Sequence, residues 1–328
     1  MMSGMGWDIF LMVAGLVALV VGAEWLVRGS AKLAVRLGVS PLVVGLTIVA
    51  FGTSSPELFV CLKFNLAGDA NAALGNLVGS NICNIGLILG ISALIRPLDI
   101  KAQLLVRDLP ILFVISAGVI FMLWDGVIEV WEGGILVLGV IVYTVYSFRA
   151  SKKEDNPEVL EEFEDEYGQA AGKKNDGLMG MAGLILIGLV GLYFGAEWLV
   201  EGAVGIAQRM NVPSAFISLT VIAFGTSLPE LATSIVAVIR RQGDIISGNA
   251  IGSCIFNLLL VLGATAMVKR MVITAIEPVD LAVMMGMVVL VVPLMWTRRR
   301  LARPEGALLL AIYLGYTVYL WFDRVQGA

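Results

Sequence analysis

Long apolar stretches, separated by short polar ones, occupy almost the whole chain. Five lie before residue 150, at about 7–35, 39–67, 70–95, 106–124 and 127–149. Five more lie after residue 177, at about 178–208, 212–240, 243–268, 276–296 and 303–322. Because a transmembrane helix needs about 20 mostly apolar residues, the pattern predicts an all-α membrane protein with ten transmembrane helices.

Residues 150–177 interrupt this pattern with a polar, acidic segment. They contain nine acidic residues and four lysines. The ligand alternation and the glycine of an EF-hand are missing. We therefore interpret the segment as an exposed linker, in which the sequence allows a short helix over 159–167. The chain then divides into residues 1–149, this linker and residues 178–328.

The two apolar halves repeat each other. Three motifs recur: GAEWLV at 22–27 and 195–200, AFGTSSPEL at 50–58 as AFGTSLPEL at 223–231, and ALGNLVGSNICN at 73–84 as SGNAIGSCIFN at 247–257. Every match has the same offset, 195 − 22 = 173 residues, which marks a true internal repeat. Since each half holds five helices, an odd number, the second half must enter the membrane from the opposite side. We predict two inverted five-helix repeats, an arrangement typical of transporters with a site near mid-membrane.

Composition and charge agree with a membrane protein. The 328 residues are 59% hydrophobic and 15% charged, whereas soluble domains are about half apolar and about a quarter charged. With the N-terminus outside, 17 of the 22 lysines and arginines fall on the cytoplasmic side and 5 outside, as the positive-inside rule requires. We expect a multi-pass protein of the plasma (inner) membrane with both termini outside and the linker in the cytoplasm.

Each half places a glutamate in the middle of an apolar stretch, Glu57 in one and Glu230 in the other. Charges at membrane depth are costly and usually functional. Pro56 has no N–H to offer the carbonyl four residues earlier, so we expect an unwound turn that leaves the carbonyls of residues 50–52 free to face a cation. Thr53 stands one helical turn before Glu57 and shares its face.

The second repeated motif adds neutral oxygen ligands. Ser80 and Asn84 share a helical face, as do Ser253 and Asn257, and hard oxygens of this kind suit calcium and sodium. Two carboxylates within an all-oxygen cage match a dehydrated Ca²⁺ better than Mg²⁺, which keeps its waters. Two further asparagines of this motif, at 76 and 249, are expected to hydrogen-bond to backbone.

The sequence gives little support for binding of other metals or for acid–base catalysis by histidine. The chain has no histidine, which removes the commonest zinc ligand and the usual general base near neutral pH. Cys61, Cys83 and Cys254 lie in apolar surroundings and are interpreted as buried thiols. Glu24 and Glu197 also belong to the repeat, near the ends of the first and sixth helices, and we leave them out of the site.

The motif pairs GTSSPEL…GNLVGSNICN and GTSLPEL…GNAIGSCIFN resemble the two alpha-repeats of the sodium/calcium exchanger family, within the cation/calcium antiporter superfamily. The resemblance covers both halves, without the linker. It implies exchange of Ca²⁺ for Na⁺ by alternating access, with the first and sixth helices sliding past the second, third, seventh and eighth. It implies no enzymatic activity and no cofactor beyond the transported ions. The metal ligands that it implies are Ala50, Thr53, Ser54, Glu57, Ser80, Asn84, Ala223, Thr226, Ser227, Glu230, Ser253 and Asn257.

Five positions depart from the family pattern. Potassium-dependent relatives carry an aspartate at a position matching Asn84 or Asn257, so the two asparagines argue against a role for potassium. Cys61 stands where a small hydroxyl residue is common, and Lys63 is an unusual charge. Cys254 replaces the asparagine of a GSN triplet.

Three other functions remain open. A calcium/proton antiporter could use the same fold, because two nearby glutamates repel and favour protonation. Proton-coupled relatives, however, place a glutamate where this chain has Gly79 and Gly252. An intramembrane hydrolase and a passive cation channel are the remaining alternatives. We expect calcium, sodium and the lipid bilayer as partners, no nucleic acid, and function as a monomer.

Overall fold

The computed structural model describes residues 2–151, 178–210, 223–274 and 278–322. The predicted linker falls after Ser151, outside the described residues, and so does the short helix over 159–167. The eight α-helices of the first half are α1 Met2–Leu37, α2 Pro41–Val44, α3 Ala50–Thr53, α4 Ser55–Leu66, α5 Ala70–Cys83, α6 Gly90–Ile95, α7 Leu109–Met122 and α8 Val130–Ser151. Those described in the second half are α9 Leu178–Arg209, α10 Ala223–Thr226, α11 Leu228–Ile239, α12 Gly243–Phe256, α13 Leu262–Val268, α14 Pro278–Trp296 and α15 Arg303–Trp321.

Several helices are joined by tighter or wider turns, so that they form longer continuous rods. The π-helical segments are Gly45–Val49, Asn84–Leu89, Leu104–Asp108 and Asn257–Val261. The 3₁₀ turns are Leu123–Asp125 and Thr297–Arg299. Four two-residue strands complete the described elements, namely β1 Leu98–Asp99, β2 Val127–Ile128, β3 Met271–Val272 and β4 Arg300–Leu301.

Seven of the described helices are long and apolar enough to cross a membrane, and eight are if the bent pair Pro41–Thr53 and Ser55–Leu66 counts as one span. The predicted span at 212–240 lies partly outside the described residues and is seen as α10 and α11. The predicted span at 303–322 forms α15, which is not among the seven. The chain is therefore a mainly helical, multi-spanning protein, and the number ten stays a prediction.

The helices that carry the second motif lie at the centre of the molecule. The spans Ala70–Ile95 and Gly243–Val268 are each 78% buried within the protein, whereas Leu178–Arg209 and Val130–Ser151 are 28% buried. A helix that is apolar on all sides must be covered by protein or by lipid. The central pair is covered by protein, and the outer helices present their apolar surface to the bilayer.

Helices α1 and α9 lie in backbone contact. A Cβ on Gly15 would stand 2.6 Å from the carbonyl oxygen of Gly195, and one on Gly22 would stand 2.8 Å from that of Gly188. Small residues let membrane helices approach this closely. The later glycine of one helix meets the earlier glycine of the other, so the two helices run antiparallel.

These contacts are reciprocal in the 173-residue repeat, because 15 + 173 = 188 and 22 + 173 = 195. The strands obey the same relation. Strand β1 pairs with β4 through Leu98 and Leu301, and β2 pairs with β3 through Ile128 and Met271. Residue 98 corresponds to 271 and residue 128 to 301, so each half contributes the same two surfaces to the joint between them.

The backbone contact predicts a test of packing. Gly22→Leu should drive a branched side chain into the backbone of α9, and overpacking of this kind costs about 1–3 kcal/mol or more. We expect a clearly lower melting temperature in detergent, which size-exclusion chromatography after heating would measure. Gly183→Leu on α9 is the matched control, since a Cβ there meets no described atom within 4 Å. Equal losses in both variants would contradict this packing.

Candidate functional site

The ten polar residues among the twelve sequence-predicted site residues all have buried side chains. They lie at the α3–α4 bend, in and between α10 and α11, and in α5 and α12. The two asparagines are the first residues of the π-helical turns that follow α5 and α12. The ten residues are Thr53, Ser54, Glu57, Ser80, Asn84, Thr226, Ser227, Glu230, Ser253 and Asn257. We call this set the paired-glutamate site.

The bend between α3 and α4 places Glu57 in the first turn of a new helix. The helix axis turns by 42° at Ser54, whose backbone (φ −81°, ψ 3°) leaves the helical region. The sequence predicted an interruption here, and the structure confirms it. In the second half Ser227 (φ −90°, ψ 5°) occupies the same place before α11, so Glu230 again lies in a first turn.

The hydroxyls of each half reach the glutamate of the other half. Ser54 Oγ donates to Glu230 Oε1 at 3.4 Å, and Ser227 Oγ lies 3.5 Å from Glu57 Oε1. Ser227 Oγ also lies 3.3 Å from Ser80 Oγ. All three distances are long for O–H···O bonds, and a single hydroxyl hydrogen serves one acceptor at a time. The contacts bring both carboxylates to one place but leave them poorly satisfied.

Five oxygen atoms of the site are buried without a hydrogen-bond partner among the described residues. They are Glu57 Oε2, Glu230 Oε2, Asn84 Oδ1, Asn257 Oδ1 and Ser253 Oγ. Leaving a buried acceptor unpaired costs about 1–3 kcal/mol, and more if it is charged. Both halves supply such atoms. A cation is the kind of partner that such acceptors lack.

The donor set is hard and carries two formal negative charges. No group of three or more His, Cys, Asp or Glu side chains is placed to hold a metal within the described ranges. The two carboxylates are therefore supplemented by neutral hydroxyl and amide oxygens. Calcium, which takes six to eight oxygen ligands in flexible geometry, fits this chemistry.

Two threonines are held by asparagines from the opposite half. Thr53 Oγ1 lies 3.2 Å from Asn249 Oδ1 and 3.1 Å from the carbonyl oxygen of Val49, and Thr226 Oγ1 lies 3.3 Å from Asn76 Oδ1. The expectation that these asparagines bond to backbone is wrong. Each meets a predicted ligand across the interface between the halves, a partner that spacing along one helix does not reveal.

The carbonyl of Ala50 is engaged within its own helix. It accepts the amide hydrogen of Ser54 at 3.0 Å, so the expectation that it is free is wrong for this conformation. Pro56 removes the donor to Gly52, two residues further along, and leaves the bond to Ala50 intact. A carbonyl has a second lone pair, which is what a cation would use at Ala50. Ala223 is the first residue of α10.

Both site asparagines on the central helices begin a π-helical turn. Asn84 starts Asn84–Leu89 and Asn257 starts Asn257–Val261. Single π-helical turns inside α-helices are frequent at functional sites. Their occurrence at repeat-related ligands indicates that the backbone is adjusted at the level of the site in both halves.

Sequence reasoning missed one residue in contact with the site. Asn81 is buried, and its Oδ1 accepts from Asn257 Nδ2 at 3.3 Å. The available signal was its absence from the repeat, since 81 + 173 = 254 and residue 254 is a cysteine. The three cysteines themselves are free and buried, as predicted.

A cavity lies beside the site. It measures ≈ 530 Å³ and is lined by Asn76, Ser80 and Cys83 of α5, together with the later turns of α9 and α15. The repeat-related surface of α12 packs against α2 and the π-helical turn after it, because a Cβ on Gly248 or Gly252 would stand 2.7 Å from their backbone. The segment that corresponds to α2 in the second half lies outside the described residues.

The charged residues left out of the site lie beside it. Glu24 of α1 forms ion pairs with Arg28 and with Arg240 at the end of α11. Its repeat partner Glu197 lines a separate cavity of ≈ 300 Å³ that also contains Lys63 and Thr226.

Comparison with known proteins identifies the family. The sequence pattern described as "Sodium/calcium exchanger protein" matches residues 7–149 and 180–322, which is most of the chain. The chain belongs to the sodium/calcium exchanger family. Within this family the chain is 32% identical to the inner membrane protein YrbG of Escherichia coli strain K12, over 94% of either chain.

Two further members carry names that describe exchange. The sodium/calcium exchanger MaX1 of Methanosarcina acetivorans is 29% identical over 96% of this chain and 99% of its own length. The solved structure of the sodium-calcium exchanger NCX_Mj, soaked with 10 mM Na⁺ and zero Ca²⁺, is similar with a TM-score of 0.84 and 30% identity. That likeness covers 96% of this chain and 99% of the other.

If the two carboxylates act as a unit, removing either one should abolish calcium uptake. Glu57→Gln and Glu230→Gln each keep the shape but remove one of the two charges. Each change should reduce calcium uptake into proteoliposomes to near background, and the double variant should be scarcely slower than either. Glu197→Gln is the matched control and should retain transport, because its side chain lines the neighbouring cavity. Substantial uptake by a well-folded Glu57→Gln or Glu230→Gln protein would contradict the site.

Proposed function

We propose that this chain exchanges Ca²⁺ for Na⁺ across the membrane, as a secondary active antiporter. The observation that supports this most is the set of five unpaired, buried oxygens drawn from both halves, two of them carboxylate. The metal ligands proposed are the twelve residues that the family resemblance implies. The printed names of MaX1 and NCX_Mj, both sodium/calcium exchangers, favour the same pair of ions.

Competition for one cage is the proposed basis of coupling. Two carboxylates balance the charge of one Ca²⁺, so an empty cage would hold two uncompensated buried charges. Sodium accepts the same hard oxygens and can replace calcium there. Because the occupied cage is favoured over the empty one, the protein would change conformation loaded with one ion type or the other, which enforces exchange.

The reciprocal contacts support an inverted repeat that works by alternating access. Antiparallel α1 and α9 meet through repeat-related glycines, as the sliding first and sixth helices of the family would. We propose that the ion pair of Glu24 with Arg240 links α1 to the end of α11 in one state of this cycle. Exposed pairs of this kind are worth about 0.2–1 kcal/mol, weak enough to break in each cycle.

The distribution of charge supports the predicted orientation. The end of the molecule that holds the β1–β4 pair carries Arg96, Lys101, the arginines at 298–300 and Arg303. The end with the β2–β3 pair carries Lys269 and Arg270 nearby. We propose that the first end is cytoplasmic, that both termini lie outside, and that residues 150–177 form a cytoplasmic linker.

One chain contains both halves of the proposed site, so we propose that it functions as a monomer in the plasma (inner) membrane. The second candidate function is calcium/proton exchange. It is favoured by the two buried carboxylates, which could each take up a proton in place of sodium. Glycines at 79 and 252 leave no additional acidic group at those positions.

Calcium flux under separate gradients distinguishes the two functions. Proteoliposomes loaded with Na⁺ and diluted into Na⁺-free buffer should take up ⁴⁵Ca²⁺ far faster than liposomes without the Na⁺ gradient. Uptake should not require potassium, given asparagine at both 84 and 257. A pH gradient alone should drive little uptake. Uptake driven by the pH gradient and indifferent to sodium would establish the proton-coupled alternative instead.

A further inference from the structure

Asn81 presents a hydrogen-bond acceptor to one of the two ligand asparagines. Its Oδ1 lies 3.3 Å from Nδ2 of Asn257, and its own Nδ2 lies 3.8 Å from Sδ of Met284. All the polar atoms involved belong to buried side chains of the described chain. The contact crosses from α5 to the residue that follows α12, and so joins the two halves at the level of the site.

This contact fixes which end of Asn257 faces the cation. A side-chain amide has a donating nitrogen at one end and an accepting oxygen at the other. Because Asn81 engages the nitrogen, Oδ1 of Asn257 points away from it, and that oxygen is buried with no partner among the described residues. Without Asn81 the amide could rotate by half a turn and present a donor, which a cation cannot use.

The corresponding asparagine in the other half, Asn84, has a different neighbour. Asn84 corresponds to Asn257, and Cys254 corresponds to Asn81. Asn84 therefore has a thiol beside it where Asn257 has an amide oxygen. Sulfur is a weak acceptor, so the amide of Asn84 is held less firmly than that of Asn257.

We propose that Asn81 is a positioning residue that orients the Asn257 oxygen toward the transported cation, and that Cys254 leaves Asn84 without the equivalent support. The inference rests on the proposed function, since it assigns both asparagines to the cation. The two amide ligands thus differ in rigidity. One is fixed by an amide, and the other can adjust as calcium and sodium replace each other.

Equilibrium ⁴⁵Ca²⁺ binding to the purified full-length protein in sodium-free buffer tests the proposal. Asn81→Ala should raise the dissociation constant roughly 2- to 12-fold, the factor expected for one neutral hydrogen bond. Cys254→Asn should lower it by a similar factor, because it restores the acceptor for Asn84. This second variant keeps the test decisive if Asn81→Ala folds poorly.

Double variants separate positioning from general destabilisation. In an Asn257→Ala background, Asn81→Ala should cause no further loss, since it acts through that amide. In the matched Asn84→Ala background, Asn81→Ala should keep its full effect, and Cys254→Asn should lose its gain. Equal losses in both backgrounds, or no gain from Cys254→Asn in a folded protein, would overturn the positioning role while calcium binding by the unmodified chain stands. Failure of the unmodified chain to bind calcium would overturn the proposed function as well.

Discussion

Two carboxyl groups buried at the same place are the constraint on which this structure depends. Glu57 and Glu230 come from opposite halves, are both buried and are contacted by hydroxyls at 3.4–3.5 Å. Taking an ion out of water costs several kcal/mol even after relaxation, and two carboxylates add their mutual repulsion. A cation bound between the two carboxyl groups would offset both costs, which is why the proposed function places the transported ion there.

The surrounding fold supplies what such a site needs. Irregular backbone at membrane depth is tolerated only where protein or a water-filled cavity surrounds it, and the bend at Ser54 lies against the most buried helices, α5 and α12. Around that centre, glycine contacts such as Gly22 with Gly188 let α1 and α9 pack backbone to backbone. The outer pair is thus closely joined within itself, whereas its link to α11 includes the exposed ion pair of Glu24 with Arg240. This difference in strength suits the proposed cycle, in which one part would move past the other.

The sequence predicts the buried polar residues of the site better than their hydrogen-bond partners. Glu57, Ser80 and Asn84 stand out because polar residues inside an apolar stretch need a reason, and their recurrence 173 residues later supplies it. The bend was predictable from Pro56. The prediction of a free Ala50 carbonyl overlooked the hydrogen bond from the Ser54 amide. Proline removes only its own N–H, so that bond remains. The pairing of Thr53 with Asn249 and the contact of Asn81 with Asn257 depend on how the halves face each other, which helical spacing does not encode.

The central claim is that one cage, made by both halves, holds either calcium or sodium. A calcium titration of the purified protein in lipid nanodiscs, repeated at increasing sodium, tests it most directly. The account predicts one Ca²⁺ per chain and an apparent dissociation constant that rises steadily with sodium, without a change in stoichiometry. Two independent calcium sites per chain, or calcium binding that sodium does not affect, would contradict it.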